Sequence, residues 1–158
     1  MGEARDVMDR ATAAIFSNDM AAIAECYAAD VVAQTPDAGT INGRDDLVDY
    51  MRQMSDAFPD LSYEMTRTME DGKFAIDEGT VIGTNTGPLA LATGEVLPPT
   101  GKPVRLRSID VATVEGGSSP VMTSTSTRWR SSSSSDLCSR ELTRNPTRPV
   151  TMWDARPV

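Results

Sequence analysis

The segment from Lys102 to Val114 carries the side chain best suited to proton transfer. Its residues alternate in character, as in a strand with one face in a protein core. The apolar face consists of Val104, Leu106, Ser108, Asp110, Ala112 and Val114. A carboxylate on a core-facing register is costly unless it is hydrogen-bonded, paired or neutral. Because burial raises a carboxyl pKa, Asp110 is a candidate general acid or base near neutral pH.

Two further interpretations of Asp110 stay open, and neighbouring polar residues add candidates. A β-bulge would turn Asp110 to the other face, and an ion pair with an arginine would give it a structural role. On the preceding strand Asp77 and Glu78 are adjacent, so we expect one in a pocket and the other in solvent. Asn85, inside Gly83–Gly87, either donates a hydrogen bond to a ligand carbonyl or forms a turn.

The residue types that are missing exclude several chemistries. The 158 residues include no histidine, which rules out histidine bases and histidine metal ligands. Cys26 and Cys138 are the only cysteines and lie far apart, so the sequence predicts no cysteine zinc site and no disulfide framework. We therefore expect no metal site, and acid–base chemistry is left to carboxylates, tyrosines or lysines.

Charge and hydropathy exclude two classes of partner. The formal net charge of -8 disfavours binding to nucleic acid or to an anionic membrane. No stretch approaches 18 consecutive apolar residues, as a membrane-spanning helix requires. The segment Met1–Asp6 lacks the apolar region of a signal peptide, so we expect a cytoplasmic location.

Helical periodicity dominates the first part of the chain. It predicts a helix over Glu3–Phe16, a second from an Asn18-Asp19 cap to Ala28, and a third over Arg44–Ala57 that Pro59 stops. Tyr27 belongs to the apolar face of the second helix, and Met54 and Phe58 to that of the third. A short strand is predicted over Asp30–Gln34, and a turn at Asn42-Gly43.

After Pro59 the period changes to two. Strands are predicted over Leu61–Thr66, Phe74–Gly83 and Lys102–Val114, with a loop over Gly87–Gly101. Helices followed by an antiparallel meander indicate the α+β class. Three helices on one face of a strongly curved sheet would enclose a cone-shaped pocket. The nine methionines either line that pocket or simply fill the core.

Composition changes abruptly near Gly117. Residues 1–117 have a net charge of -11, whereas residues 118–158 have a net charge of +3 and contain ten serines but no lysine. The second part shows no useful periodicity and too few apolar residues to offset its ordering entropy. We predict one folded domain over residues 1–117 and a disordered Ser/Arg-rich tail over residues 118–158.

Five segments within residues 1–117 resemble, in order and spacing, the motifs of one family. Ile41–Asp45 contains its G-R-[DE] signature, and Ala57–Leu61 is its A-F-P-D-L. Glu78–Leu89 resembles E-G-T-x-x-G-T-[HN]-T-G-P-L, and Pro98–Val104 resembles P-P-T-G-[KR]-x-V. Asp110–Gly117 resembles D-[VI]-x-x-V-x-[DG]-G. The chain thus resembles the SnoaL-like polyketide cyclases, also called ester cyclases, of the NTF2-like superfamily.

The resemblance implies a fold and a reaction. The fold would be an NTF2-like cone, with three N-terminal helices on a curved antiparallel sheet. The reaction would be a ring closure of a polyketide by intramolecular aldol chemistry, without metal or cofactor. The strand aspartate matched by Asp110 would be the acid–base, and Asn85 stands where the family often has histidine. The resemblance also suggests a homodimer through the open sheet face.

These arguments lead to one leading function and two alternatives. We expect a cyclase or isomerase that acts on a small apolar carbonyl compound, with Asp110 as the catalytic residue. Candidate substrate-binding residues are Asn85, Tyr27, Phe58, Glu78 and Met54. The alternatives are a non-catalytic small-molecule-binding module and an inactive relative.

The tail departs from the family after Gly117. Relatives continue with segments similar to S-H-x-x-Y-x-D-Q and x-F-L-x-Q-L-G-L. Synonymous codons can be chosen for Val121–Trp129 that, read one nucleotide earlier, encode His-Asp-Val-Tyr-Phe-Asp-Gln-Val. Codons for Arg130–Leu137 can likewise be chosen to encode Ala-Phe-Leu-Glu-Gln-Leu-Gly-Leu in the same frame. We therefore predict a frameshifted product from about Ser118, with the last strand missing or replaced, its neighbour unpaired and one pocket wall incomplete. A genuine polar tail is the alternative.

Overall fold

Three helices form in the N-terminal part of the chain, where apolar residues recur at helical spacing. The computed structural model describes residues 2–91, 94–126 and 130–131. Helix α1 spans Glu3–Phe16, α2 spans Met20–Cys26 and α3 spans Arg44–Ala57. The bounds of α1 and α3 are those that the sequence predicts. None of the helices in these residues is long and apolar enough to cross a membrane.

Helix α2 is shorter than the prediction, which continued it to Ala28. Asp19 caps its N-terminus as expected, because its carboxylate accepts a hydrogen bond from the Ala22 backbone N–H at 3.0 Å. The helix ends at Cys26, and Tyr27 already pairs with Ser119 in the sheet. A helix of seven residues is marginal by itself, so pairing with a neighbouring strand determines where it ends.

Within these described ranges, nine strands follow or interrupt the helices. They are β1 (Tyr27–Thr35), β2 (Gly39–Asn42), β3 (Ser62–Asp71), β4 (Phe74–Thr84), β5 (Leu89–Ala90), β6 (Val96–Leu97), β7 (Pro103–Glu115), β8 (Ser118–Ser126) and β9 (Arg130–Ser131). The main sheet has the order β2-β1-β8-β7-β4-β3, and β9 pairs with β7. All neighbours are antiparallel except β1 and β8, which are parallel. The α+β class and the three-helix, curved-sheet architecture are therefore confirmed.

Short strands before α3 and after β4 were not predicted from the sequence. Strand β2 forms a hairpin with β1 just before the predicted turn at Asn42-Gly43. The segment predicted as a loop, Gly87–Gly101, contains the small β5-β6 hairpin. Strands of two to four residues are too short to show a periodicity, so they are visible only in three dimensions.

Strand β8 occupies the place where we expected a missing or replaced last strand. It lies between β1 and β7 and pairs with both, so the prediction that its neighbour loses a partner is wrong. Met122 and Ser124 face Ala112 and Asp110, and the intervening residues are β-branched or small, which is enough to form a strand here. The sheet thus continues past residue 117, where we expected the domain to end. The expected disorder of residues 127–129 and 132–158 lies outside the described residues.

The hydrophobic core lies between the helices and the face of the sheet that they cover, called here the inner face. Its buried residues are Ala4, Val7, Met8, Ala11, Ala14, Ile23, Cys26, Tyr27, Val31, Ala33, Ile41, Leu47, Ala75, Ala112, Val114 and Met122. A smaller cluster of Ala57, Phe58 and Val104 packs at the C-terminal end of α3. Both clusters hold the helices against the strands that carry the polar residues described below.

Candidate functional site

A cavity of ≈ 170 Å³ lies between the helices and the inner face of the sheet. Met54 of α3 and Phe58, which follows α3, are among its apolar lining residues. All three tyrosines of the chain, Tyr27, Tyr50 and Tyr63, also line it. The polar residues on the sheet side are Asp77, Ser108, Asp110 and Ser124. Such a wall suits a mostly apolar ligand with a few polar groups.

Asp110 lies in the cavity wall, on the face that the sequence predicts. Its strand β7 pairs with β4 in unbroken register from Pro103 to Thr113, which excludes the bulge that would have turned Asp110 outward. Among the ion pairs of the described residues, none includes Asp110. The Ser108 hydroxyl lies 3.2 Å from its Oδ2. Burial raises the pKa of Asp110, hydrogen bonds from Ser124 and Ser108 oppose this, and the charge of Asp77 adds to it.

A second carboxylate, Asp77, is the direct cross-strand neighbour of Asp110. Only 1% of Asp77 is exposed, and its charge is balanced by Arg5 of α1, whose Nη1 lies 2.6 Å from Oδ1. The Thr12 hydroxyl lies 3.2 Å from the other oxygen, and Asp9 pairs with Arg5 at 2.8 Å. The two neighbouring carboxylates therefore differ: Asp77 has a buried cation as its partner, whereas the donors to Asp110 within the described part of the chain are hydroxyl groups.

The three cavity tyrosines differ in how their hydroxyl groups are used. Tyr50 donates to the Asp37 carboxylate, with 2.9 and 3.1 Å to the two oxygens. Tyr27 donates to the Met122 sulfur at 3.2 Å, a weak acceptor. The buried Tyr63 hydroxyl has no hydrogen-bond partner among the described residues. Burial raises the pKa of all three, that of Tyr63 to about 12, so each stays a protonated donor at neutral pH.

Glu78 does not belong to the cavity, which corrects its prediction as a substrate-binding residue. Because it follows Asp77 on β4, its side chain lies on the outer face of the sheet. There it pairs with Arg67, at 3.1 Å from Nε to Oε2, and with Arg107. The hydrogen bond from Arg107 is the main cause that lowers the pKa of Glu78. Of the two adjacent carboxylates, Asp77 is thus the one that faces the cavity.

Asn85 is buried beside the cavity and its amide group is fully used by the protein. The amide nitrogen donates to the Gly87 carbonyl at 2.8 Å and to the Ala57 carbonyl at 3.4 Å. The amide oxygen accepts from the backbone N–H and the hydroxyl of Thr100, at 2.9 and 3.0 Å. Because carbonyl groups only accept and a backbone N–H only donates, these partners fix the orientation of the amide. The turn interpretation of Asn85 therefore holds, and no donor is left for a ligand.

Of the six residues predicted for the site, the structure brings four together around the cavity: Asp110, Tyr27, Phe58 and Met54. Sequence reasoning missed Arg5 and Tyr63. A signal for Arg5 existed, since it lies beside Ala4 on the apolar side of the predicted first helix, where an arginine needs a buried partner. Tyr63 alternates in phase with Leu61, but nothing in its own strand shows whether that face is buried.

Metal-ligating side chains are not clustered in the described residues. Within residues 2–91, 94–126 and 130–131, no group of three histidine, cysteine, aspartate or glutamate residues could hold a metal ion. Cys26 is buried in the core, where desolvation raises the pKa of its thiol. It is therefore a packing residue of the core.

The family is decided by a match over most of the described sequence. The profile of the SnoaL-like domain matches residues 8–118. The chain belongs to the SnoaL-like family. The match ends at Ser118, next to the change of composition near Gly117. Among curated proteins, no sequence matches the chain significantly.

Solved structures show the same NTF2-like fold. IdmH of Streptomyces antibioticus, proposed to be a polyketide cyclase, is 20% identical, with a TM-score of 0.65 over 79% of this chain and 92% of that chain. A protein of Jannaschia sp. CCS1, proposed to be a SnoaL-like polyketide cyclase, is 15% identical, with a TM-score of 0.69 over 78% and 85%. AclR of Streptomyces galilaeus, proposed to be a hydroxylase, is 22% identical, with a TM-score of 0.66 over 79% and 75%. At these identities the similarity shows the fold and not the reaction.

Three motifs of this SnoaL-like chain meet at one structural junction beside the cavity. Asp60 of A-F-P-D-L accepts hydrogen bonds from the Thr84 backbone N–H and hydroxyl, at 2.6 and 2.7 Å. The Ala57 carbonyl accepts from the N–H groups of the Thr86-Gly87 segment at 3.0 and 3.2 Å. A Cβ on Gly87 would lie 2.1 Å from the Asp56 carbonyl oxygen, so only glycine fits. These motifs therefore hold the end of α3 against β4 and the loop that carries Thr100, and they position the cavity wall.

Proposed function

We propose that this SnoaL-like protein is a cofactor-independent cyclase or isomerase of a small apolar carbonyl compound of the polyketide type. The observation that carries the proposal is the environment of Asp110: a carboxylate in the wall of a largely apolar cavity, with no cationic partner among the residues that the structure describes. Desolvation makes such a carboxylate a stronger base than one in water. Family membership at the level of polyketide cyclases supports the same reaction class.

The reaction follows from the chemistry of a carboxylate beside a carbonyl compound. Asp110 takes a proton from the carbon next to the carbonyl group, and the electron pair of that C–H bond leaves an enolate. The enolate carbon attacks a second carbonyl of the same molecule, and a C–C bond forms. The resulting alkoxide then takes the proton back from Asp110, so that the cyclisation is a net isomerisation. If the proton returns to a different carbon instead, the product is an isomer without a new ring.

The apolar wall supports this proposal through binding and through the pKa of the base. Phe58, Met54 and Tyr27 line the same cavity as the Asp110 carboxylate and give it an apolar surrounding. A dry site strengthens the interaction between a developing enolate charge and any hydrogen-bond donor in the wall. The cavity volume of ≈ 170 Å³ suits a compound of one or two fused rings.

Proton exchange on a simple ketone tests this proposal without the natural substrate. The wild-type protein should accelerate deuterium incorporation next to the carbonyl of 2-tetralone, measured by NMR. Asp110→Asn should lower this rate by about 100-fold or more, since positioned proton transfer contributes roughly that much. Glu78→Gln is the matched control, because it changes a carboxylate to an amide on the outer face of the sheet. An Asp110→Asn protein that exchanges as fast as wild type would rule Asp110 out as the base.

A non-catalytic small-molecule-binding module is the second candidate, and one observation favours it. The amide of Asn85, at a position where the resemblance predicts a donor, is entirely engaged within the protein. Saturable binding of 2-tetralone, with no exchange above background in wild type and the same affinity in Asp110→Asn, would favour this candidate. A bound ligand raises the melting temperature by mass action, so thermal shift measures the affinity.

Three further statements belong to the proposal: a cytoplasmic location, a homodimer and a shifted reading frame. The net charge of -8, which disfavours binding to an anionic membrane, supports the first. Apolar residues exposed on the outer face of the sheet support the second, and the end of the family match at Ser118 supports the third. If the shifted reading frame has replaced a side chain of β8 that the reaction requires, the protein is an inactive relative.

A further inference from the structure

The Tyr63 hydroxyl is buried and makes no hydrogen bond of good geometry within the described residues, although it interacts with the Ser108 hydroxyl. Among the described residues it is the one buried side-chain hydroxyl with no hydrogen-bond partner, although its side chain lines the cavity. Nearly all buried polar groups in folded proteins are paired, so an unpaired one calls for an explanation. The other two cavity tyrosines already have acceptors, Tyr50 in Asp37 and Tyr27 in Met122. Within the described residues, the Tyr63 hydroxyl is therefore the tyrosine donor of the cavity that is least engaged by the protein.

Gly79 allows the Tyr63 ring to reach across the sheet. A Cβ at Gly79 would lie 2.5 Å from Cζ of Tyr63 and 2.8 Å from its hydroxyl oxygen, so the ring occupies the space of the missing side chain. Gly79 pairs with Ser108 on β7, and the ring is thus directed from β3 across β4 toward Ser108. Stacking on Phe16, with ring centroids 5.4 Å apart and planes at 12°, holds the ring in place.

Asp110 lies next to Ser108, the residue toward which the Tyr63 ring is directed. The Ser108 hydroxyl lies 3.2 Å from the Asp110 carboxylate, and Ser108 pairs with Gly79, beside which the Tyr63 hydroxyl lies. Burial raises the pKa of Tyr63, the interaction with Ser108 lowers it, and the charge of Asp110 raises it. Other charges that act on Tyr63 are those of Asp77 and Glu78, and burial has the largest effect on its pKa. A neutral donor and a basic carboxylate thus share one region of the cavity wall.

We propose that Tyr63 is a catalytic residue whose hydroxyl donates a hydrogen bond to the carbonyl oxygen of the compound from which Asp110 takes a proton. This inference rests on the proposed function and adds the group that stabilises the enolate. As the C–H bond breaks, negative charge develops on the oxygen, and the hydrogen bond from Tyr63 strengthens without transfer of its proton. The residue also restricts the substrate class to compounds with a hydrogen-bond acceptor next to the acidic carbon.

The carbonyl stretch of bound 2-tetralone, labelled with carbon-13 at the carbonyl, tests this inference by difference infrared spectroscopy. At saturating ligand the wild-type protein should show a carbonyl band at lower frequency than in an apolar solvent, as expected for a hydrogen-bonded carbonyl. Tyr63→Phe should lose this shift, and its rate of proton exchange should fall by about 100-fold. Tetralin, which has no carbonyl, should bind wild type and Tyr63→Phe equally well.

Stability separates this role from a structural one. Tyr63→Phe removes a hydroxyl without a partner, so its melting temperature should equal or exceed that of wild type. Tyr50→Phe is the matched control and should be less stable, because it removes a bonded hydroxyl. Gly79→Ala keeps the hydroxyl but displaces the ring, and should lose the carbonyl shift as well. The inference is overturned if bound 2-tetralone shows no shifted carbonyl band in wild type, or if Tyr63→Phe keeps the shifted band. In that case, slow proton exchange in Asp110→Asn would still support Asp110 as the base.

Discussion

At the scale of single residues, two carboxylates on adjacent strands have opposite environments. Asp110 faces an apolar cavity, and burial raises its pKa. Glu78 faces outward between Arg67 and Arg107, and the hydrogen bond from Arg107 lowers its pKa. The two shifts have opposite signs, so the folded protein disfavours the ionised form of one group and favours the ionised form of the other.

The raised pKa of Asp110 predicts that its removal stabilises the fold at neutral pH. A carboxyl whose pKa is higher in the folded state contributes stability below its ordinary pKa of about 4, and this is lost as the pH rises through the folded pKa. Asp110→Asn should therefore raise the melting temperature at pH 7 by roughly 2 °C or more. The difference should shrink toward zero below pH 4, approximately the ordinary carboxyl pKa. Calorimetry over this pH range measures both, and a lower melting temperature at pH 7 would contradict the argument.

The lowered pKa of Glu78 predicts the opposite dependence of stability on pH. A carboxyl whose pKa is lowered by folding contributes stability above its ordinary pKa, which is lost as the pH falls through the folded pKa. Glu78→Gln should therefore lower the melting temperature at pH 7, because the Glu78 side chain is buried and loses its charge opposite two arginines. The effect should disappear in acid, where the carboxyl group is protonated. An effect that persists in acid would show that packing, and not charge, is responsible.

The residue scale also shows what alternation along a strand can predict. The face of Asp110 follows from its own segment, since six residues from Val104 to Val114 share one pattern. Which of Asp77 and Glu78 faces the cavity cannot be predicted from their own segment, because β4 has small and apolar residues on both faces. The role of Tyr63 depends on a gap at Gly79, sixteen residues later in the chain, which no pattern within β3 records.

At the scale of elements, Asn85 joins α3, β4 and the loop before β7. Its amide makes hydrogen bonds to Ala57, Gly87 and Thr100. Asn85→Ala should lower the free energy of unfolding by about 2–3 kcal/mol, since it leaves several buried groups unpaired. Denaturant unfolding measures this loss. Full stability with impaired binding of 2-tetralone would instead indicate that Asn85 contacts the ligand.

Element boundaries were predictable where a long periodic pattern ended in a strong signal. Helix α3 ends as expected because Pro59 cannot continue it, and α1 is long enough for its apolar face to be clear. Helix α2 and strand β8 were not predictable in the same way. Helix α2 ends early because Tyr27 joins β1, which pairs with β8. Strand β8 forms because this backbone pairing outweighs its weak local preference for a strand.

At the scale of the whole molecule, the outer face of the sheet is unusually apolar for a free surface. Residues there that are about 40% exposed or more include Met69, Phe74, Ile109 and Val121. We propose that two copies pair through this face, beside the Glu64–Arg105 and Glu78–Arg107 ion pairs. Light scattering should give the mass of a dimer, and Ile109→Arg should give a monomer with the same cavity ligand affinity. A monomeric wild type at high concentration would refute the dimer.

The reading frame is the last property of the whole chain that can be tested. The family match ends at Ser118, the charge changes sign there, and a single shift of one nucleotide is compatible with two family-like segments in order. Strand β8 forms nonetheless, because pairing with β1 and β7 requires backbone groups and little else. Its inner face, however, has only Met122 as a large buried apolar residue, so this part of the core is thin.

If the gene encodes the His-Asp-Val-Tyr-Phe-Asp-Gln-Val segment in the other frame, a chain translated in that frame should be more stable, because two aromatic residues replace part of a Ser/Thr sequence. Sequencing the gene and comparing the melting temperatures of the two chains decides the matter, and a gene without that segment would show that the polar tail is genuine.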